Sequence, residues 1–230
     1  MVYKVKFNLL APVSIQEQLH FDALLSAVNP LANNKRISLN AQSSKEMANK
    51  MEHFPLPVKR LVTADSWVYC ASAIFFPPET QIDKSAFIKR RTAQDVEMFE
   101  RKLRSGAGVM RDKLVKPLIF NTPYVYFLVD STDKGSLESL CSEIISIGGL
   151  RKQGYGEVQS VEISEMKKAD WTSCIIKDGY ATRRLPSSFV EAEYYIKSTV
   201  RAPYWLQVNK EACVDVGQDV RLKQDILYMM

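Results

Sequence analysis

The stretch Gly148-Gly149-Leu150-Arg151-Lys152-Gln153-Gly154-Tyr155-Gly156 is the part of this chain best equipped to hold a ligand. Four glycines within nine residues let a backbone turn through positive φ and approach a bound group closely. Arg151 and Lys152 put two cations at the tip, and Tyr155 offers a ring face for stacking. That combination suits a phosphate-bearing strand better than a small metabolite. The alternative is a glycine-rich turn that only ends a helix. Proton-transfer chemistry has two histidines to draw on, His20 and His53. His20 opens a helical pattern, and its imidazole could take up or give a proton near neutral pH. Its alternative reading is a helix-capping histidine. His53 stands between Glu52 and Phe54 in a polar stretch and supports no catalytic reading. The chain has no DxD, HExxH, P-loop or Ser/His/Asp arrangement.

A second cluster of chemistry-bearing residues is electrostatic. Between Lys84 and Lys113 the basic residues, including Lys89, Arg90, Arg91, Arg101 and Arg104, outnumber Asp95, Glu97, Glu100 and Asp112 by five. The run reads as a basic finger with a flexible break at Ser105-Gly106-Ala107-Gly108, and cations at this density neutralise phosphates. The alternative is a solvated helical face without a partner. Cys70, Cys141, Cys174 and Cys213 lie far apart in apolar segments with no CxxC spacing, so buried free thiols in a reducing cytoplasm are expected, with no zinc site and no cofactor. A 46% hydrophobic and 25% charged composition is that of an ordinary globular chain and excludes a disordered one. No run of 18 apolar residues marks a membrane helix, and the alternating start from Met1 to Phe7 reads as a strand rather than a signal peptide.

The elements that must position these residues follow from periodicity. Residues 2–10 alternate as a strand, with Val5, Phe7 and Leu9 on one face and Lys4, Lys6 and Asn8 on the other. Residues 18–28 read as a helix, since Phe21, Leu24, Leu25 and Val28 recur at helical spacing before Asn29-Pro30 stops it. Residues 31–60 read as a loop with some helix near 44–51. Residues 67–76 form an apolar, aromatic strand halted by Pro77-Pro78, and 118–129 another, kinked at Pro123. Leu137, Leu140, Cys141, Ile144 and Ile145 make the apolar face of a second helix, started by Asp133 or Ser136 and ended by Gly148-Gly149. A last strand spans 158–163. This βαββαβ order predicts an α+β, ferredoxin-like fold, the arrangement also used by RNA-recognition motifs. The aromatic signature of those motifs is absent, so Trp67 and Tyr69 read as core or interface rather than as a base-stacking platform.

The segment GGLRKQGYGEV after a helix resembles the C-terminal glycine-rich loop of the RAMP superfamily, the RNA-binding subunits of CRISPR effector complexes. Phe21-Asp22-Ala23-Leu24-Leu25 is similar to the first-helix L-D-x-L-L pattern of that superfamily, with Phe21 where leucine is usual. Arg183-Arg184-Leu185-Pro186 and Arg201-Ala202-Pro203-Tyr204-Trp205 resemble the tail of the type IV subunit that caps the five-prime end of the guide RNA. The resemblance implies a RAMP domain over residues 1–165 with a basic thumb at about 77–116, and a β-rich extension over 166–230 packed on it. It implies a non-catalytic, cytoplasmic subunit that holds the five-prime handle of the guide RNA and contacts the backbone subunit, with target DNA nearby and no membrane. Gly148, Gly149, Gly154 and Gly156 would then approach RNA phosphates, Arg151 and Lys152 pair with them, and Tyr155 pack on a base or the sheet. His20, Lys89, Arg90, Arg91, Arg101 and Arg104 would add RNA contacts. The alternative within the same superfamily is a metal-free endoribonuclease that processes precursor guide RNA through His20, with Tyr155 or Lys152 completing the proton transfer.

Overall fold

Strand β1 (Val2–Leu9) sits in the middle of the central sheet, because one face of it is apolar enough to bury completely. It runs antiparallel between β2 (Tyr124–Asp130) and β3 (Val158–Glu165). Val5 faces Phe127 and Ile163, and Phe7 faces Val125 and Val161. The structure is a computed structural model and describes residues 1–29, 56–89, 113–202, 204, 209–223 and 226–229. Helices α1 (Phe21–Val28) and α2 (Lys134–Ser142) bring Phe21, Leu24, Leu25, Leu137 and Cys141 into the core over this face. Phe21 stacks on Phe127 at 4.9 Å between ring centroids, and Phe7 meets Phe127 edge-on at 5.9 Å. Each such buried ring contributes about 1.5–3 kcal/mol over leaving it in water. The fold is α+β, strand-rich, with two short α-helices among the described residues.

Residues 70–75 run along the outer edge of β2 as an irregular fourth strand. Ser72 N donates to Leu128 O at 2.8 Å, Phe75 N to Tyr126 O at 2.9 Å, and Asp130 N to Cys70 O at 2.9 Å. The continuous strand expected over 67–76 is therefore divided. Its first part, Trp67–Tyr69, pairs instead with Arg60–Val62 in a separate sheet. Arg183 occupies the division. Its side chain is fully buried, and Nη1 donates to the carbonyls of Tyr69 and, at 3.0 Å, of Ala71. Nη2 donates to Val200 O at 2.7 Å and to the Tyr204 hydroxyl at 3.1 Å, and lies 3.7 Å from Asp22 Oδ1 on α1. A guanidinium has five donors in a planar fork, which matches a ring of carbonyls that no strand partner serves.

Three further expectations change. The strand over 118–129 is two strands, since Leu118–Asn121 leaves the central sheet to pair with Val13–Ser14 and Gln81–Lys84. Helix α2 starts with Asp133 as its cap, accepting from Ser136 N at 3.0 Å, but ends at Glu143 rather than at Gly148. Ile145 is 77% exposed and not on the buried face, because residues 145–147 are extended for pairing with 156–158. The basic finger is approached by a ribbon, with Phe87–Lys89 antiparallel to Lys113–Val115. Arg90, Arg91, Arg101 and Arg104, the side chain of Lys89, the helix expected near 44–51, and His53 lie outside the described residues.

The other face of the sheet is covered by the C-terminal part of the chain. Val2 and Leu128 pack there with Leu185, Phe189, Val190, Val200 and Val214. Tyr69 is buried, and the Trp67 ring lies between the guanidiniums of Arg60 at 5.0 Å and Arg201 at 5.1 Å, so neither forms an open stacking platform. All four cysteines are buried and unpaired as disulfides.

Replacing Arg183 with methionine removes the charged partner of buried Asp22 and a donor from each of the Tyr69, Ala71 and Val200 carbonyls, and should cost about 3–5 kcal/mol of stability in urea denaturation. Arg184→Ala, which breaks a 3.2 Å pair with an Asp215 carboxylate that is 42% exposed, should cost under about 1 kcal/mol.

Candidate functional site

After α2 the chain forms a narrow hairpin whose loop is the glycine-rich stretch. Ile147 N donates to Gly156 O at 2.8 Å and Val158 N to Ile145 O at 3.0 Å, closing its base. Two backbone bonds then clamp that base onto the segment after β1: Gly149 N to Ser14 O at 2.7 Å, and Gly156 N to Pro12 O at 2.8 Å. Gly148 (φ +84°) and Gly156 (φ +70°) are required at the clamp. A Cβ on Gly148 would strike the Ser14 carbonyl, and one on Gly156 the Ile147 carbonyl. The amides of Gly149 and Gly156 are thus engaged within the protein and do not serve as phosphate donors.

The loop tip is a single 3-10 turn over Arg151–Gln153, closed by Gly154 N donating to Arg151 O at 3.0 Å. Leu150 precedes it in the left-handed region at φ 56°, a conformation a non-glycine residue holds only when its surroundings impose it. Arg151 and Lys152 are exposed, with Arg151 Nε donating to Gly148 O at 3.1 Å, and Tyr155 is half-buried.

A pocket of about 500 Å³ opens between this loop and the start of α1. Gly148, Gly149, Leu150 and Arg151 form one wall, and Ser14, Leu19, His20 and Ala23 line the opposite side. His20 is the N-cap residue of α1 but makes no capping bond with its side chain. Its ring stacks on Tyr204, with centroids 4.7 Å apart and an interplanar angle of 11°. The Tyr204 hydroxyl donates to Asp22, 3.1 Å from both carboxylate oxygens. Asp22 also accepts from Ala202 N at 3.3 Å and so joins the Arg183 network. His20 and Ser14 are each only 1% exposed. Both His20 ring nitrogens and the Ser14 hydroxyl have no hydrogen-bond partner among the described residues.

Electrostatics keeps this imidazole neutral. Burial first, then the charges of Arg183 and Arg184, lower its pKa well below the ordinary 6.5. Burial raises the Asp22 carboxyl, while Arg183 and the Tyr204 hydroxyl pull it back. The Tyr204 hydroxyl is pushed well up by burial and by Asp22. Tyr204 is therefore tied to Asp22 and is a poor proton donor for chemistry at His20.

Of the residues expected at the site, the fold brings His20, Gly148, Gly149 and Arg151 to one pocket. Lys152, Gly154, Tyr155 and Gly156 belong to the same loop but are not among the residues lining it. Ser14, Asp22, Arg183 and Tyr204 were not legible as one cluster. Tyr204, near Arg201, reads from sequence as an interface or a core aromatic, and nothing in the spacing ties Ser14 to residue 148. Among the described residues no group of His, Cys, Asp and Glu is arranged to hold a metal, and no helix is long and apolar enough to cross a membrane.

A family model described as CRISPR type IV associated protein Csf3 matches residues 2–123 and 128–214. The chain belongs to the Csf3 family. The matched span holds β1, β3, the end of β2, helices α1 and α2, the glycine loop and Arg183. Membership makes this Csf3-family chain a component of a type IV CRISPR complex. Comparison with curated proteins gives no match.

Because His20 is neutral in the fold but takes up a proton near 6.5 when unfolded, the unfolded chain binds more protons below that pH. Stability should therefore fall as pH drops from about 6.5, by up to about 1.4 kcal/mol per pH unit. Urea titrations at stepped pH should show this slope in the wild type, and His20→Gln should flatten it.

Proposed function

We propose that this chain is a non-catalytic guide-RNA-binding subunit of the type IV complex, acting in the cytoplasm, that holds the five-prime repeat-derived handle and contacts the backbone subunit. The observation that carries this reading is the exposed cationic tip of Arg151 and Lys152 beside a pocket where the His20 and Ser14 side chains have no hydrogen-bond partner among the described residues. Such a site suits an extended polyanion, and membership of a type IV CRISPR family supports reading that polyanion as the guide RNA. The strand order β3-β1-β2 followed by residues 70–75, with both helices on one face, supports a ferredoxin-like RAMP domain. The ribbon of Phe87–Lys89 and Lys113–Val115 supports a thumb carrying Lys89, Arg90, Arg91, Arg101 and Arg104 toward RNA or the neighbouring subunit. Guide pairing reads the target DNA in such complexes, so the subunit needs contacts to backbone and shape rather than to a long base sequence.

The loop's role differs in kind from a nest of amides. Gly149 and Gly156 donate internally, so phosphate recognition falls to the Arg151 and Lys152 side chains. Replacing both with alanine should weaken guide-RNA retention by roughly 10–100-fold, since charge-assisted contacts carry it. Guide occupancy of the purified complex measures this, with circular dichroism to show an intact fold. Unchanged occupancy would remove the loop from the interface.

His20 also permits a second reading, as the general base or acid of a metal-free endoribonuclease, because its imidazole is neutral and its nitrogens have no hydrogen-bond partner among the described residues. The other groups weigh against it. Tyr155 and Lys152 do not line its pocket, and Tyr204 is committed to Asp22. A labelled repeat RNA incubated without metal should stay intact with the wild-type protein. Specific cleavage lost by about 10²–10⁴-fold in His20→Ala would establish the nuclease instead.

A further inference from the structure

We propose that the pocket between the start of α1 and the glycine loop seats one unpaired nucleobase of the bound RNA, whose polar edge hydrogen-bonds His20 and Ser14. The inference rests on the RNA-binding reading and adds a base-holding subsite to it. A buried donor or acceptor without a partner is rare in a folded protein, and three at one pocket with none among the described residues call for a ligand that completes them. The chemistry of those atoms selects among ligands. A neutral imidazole presents one donor and one acceptor, and a hydroxyl presents both. A nucleobase edge carries donors and acceptors side by side and matches that set. A phosphate offers acceptors alone and would favour a charged imidazole, which burial beside Arg183 and Arg184 opposes.

Shape agrees with chemistry. Leu19, Ala23, Leu24 and Leu150 give the pocket apolar walls suited to the faces of a flat ring. Its volume of about 500 Å³ accommodates a nucleotide. The His20–Tyr204 stack stiffens one side, and the left-handed Leu150 holds the loop against the other. Arg151 lines the same pocket yet stays exposed, in place to pair with the phosphate next to the seated base. A base can reach such a site only when extruded from its neighbours, so the guide would present an unpaired nucleotide here.

The test uses the full-length chain and synthetic repeat-derived RNAs in which a single abasic position is walked along the handle, with binding read by fluorescence anisotropy. For the wild type, one position should lose about ten-fold or more in affinity while the others change little, the scale of one recognised base. In Ser14→Ala and His20→Gln that penalty should shrink to less than about two-fold, whereas Arg151→Ala should weaken all the RNAs alike. Tight binding with no sensitive position, or a sensitive position unchanged in both folded pocket variants, would overturn the base pocket and leave the RNA-binding reading standing. The wild-type walk decides the first point even if a variant fails to fold. Failure of the wild type to bind any of these RNAs would overturn both.

Discussion

The buried Arg183 guanidinium is the interaction on which most of this structure turns. A cation taken wholly out of water is tolerated only when every donor finds an acceptor. Here the acceptors come from four separate parts of the chain: Tyr69 and Ala71 beside the central sheet, Val200 and Tyr204 from the C-terminal part, Arg184 next door, and Asp22 on α1. The apolar segment 67–76 is consequently divided between two sheets at the point where Arg183 takes its carbonyls. The same network holds Tyr204 against His20, so a residue with no contribution to the pocket surface sets the pocket's geometry.

The glycine loop is governed by close approach of backbone rather than by exposure of it. Positive φ at Gly148 and Gly156 lets the hairpin base press against Pro12 and Ser14, and the two resulting amide bonds fix the loop's direction. What remains for a ligand is the side-chain chemistry of the tip and the space beneath it. A rigid base with a charged tip suits a polyanion, because long cationic side chains can adjust to phosphates while the scaffold below stays in place.

The central sheet is covered by the helices on one face and by the C-terminal part over one end of the other, which explains the pattern of β2. Val125, Phe127 and Val129 face the helices, whereas Leu128 joins Val2 and the C-terminal strands in a second apolar cluster. Toward the other end of the strands that second face carries Tyr124 and Tyr126, with the ammonium groups of Lys6 and Lys4 over their rings at 4.8 and 4.3 Å. Cations already cover these rings, which leaves the loop pocket as the better-formed binding feature of the described residues.

Local pattern was sufficient for β1, α1, the start of α2 and the glycine loop, because each rests on interactions within a few residues: alternation at Val5 and Phe7, the helical spacing of Phe21, Leu24 and Leu25, the Asp133 cap, and the glycines themselves. His20 and the loop were legible singly as site residues for the same reason. Their meeting at one pocket was not, since it depends on hydrogen bonds from Gly149 to Ser14 and from Gly156 to Pro12 across more than 130 residues of chain. Nor did sequence reveal that Asp22 and Arg183 are buried, because the usual prior puts charged residues in water and only a converging set of distant carbonyls reverses it. The break at Tyr69, the exposure of Ile145 and the neutrality of His20 follow likewise from long-range packing. Short-range pattern thus sets the local elements and the chemistry of the loop, whereas long-range packing brings together the polar groups of His20 and Ser14, which have no hydrogen-bond partner among the described residues.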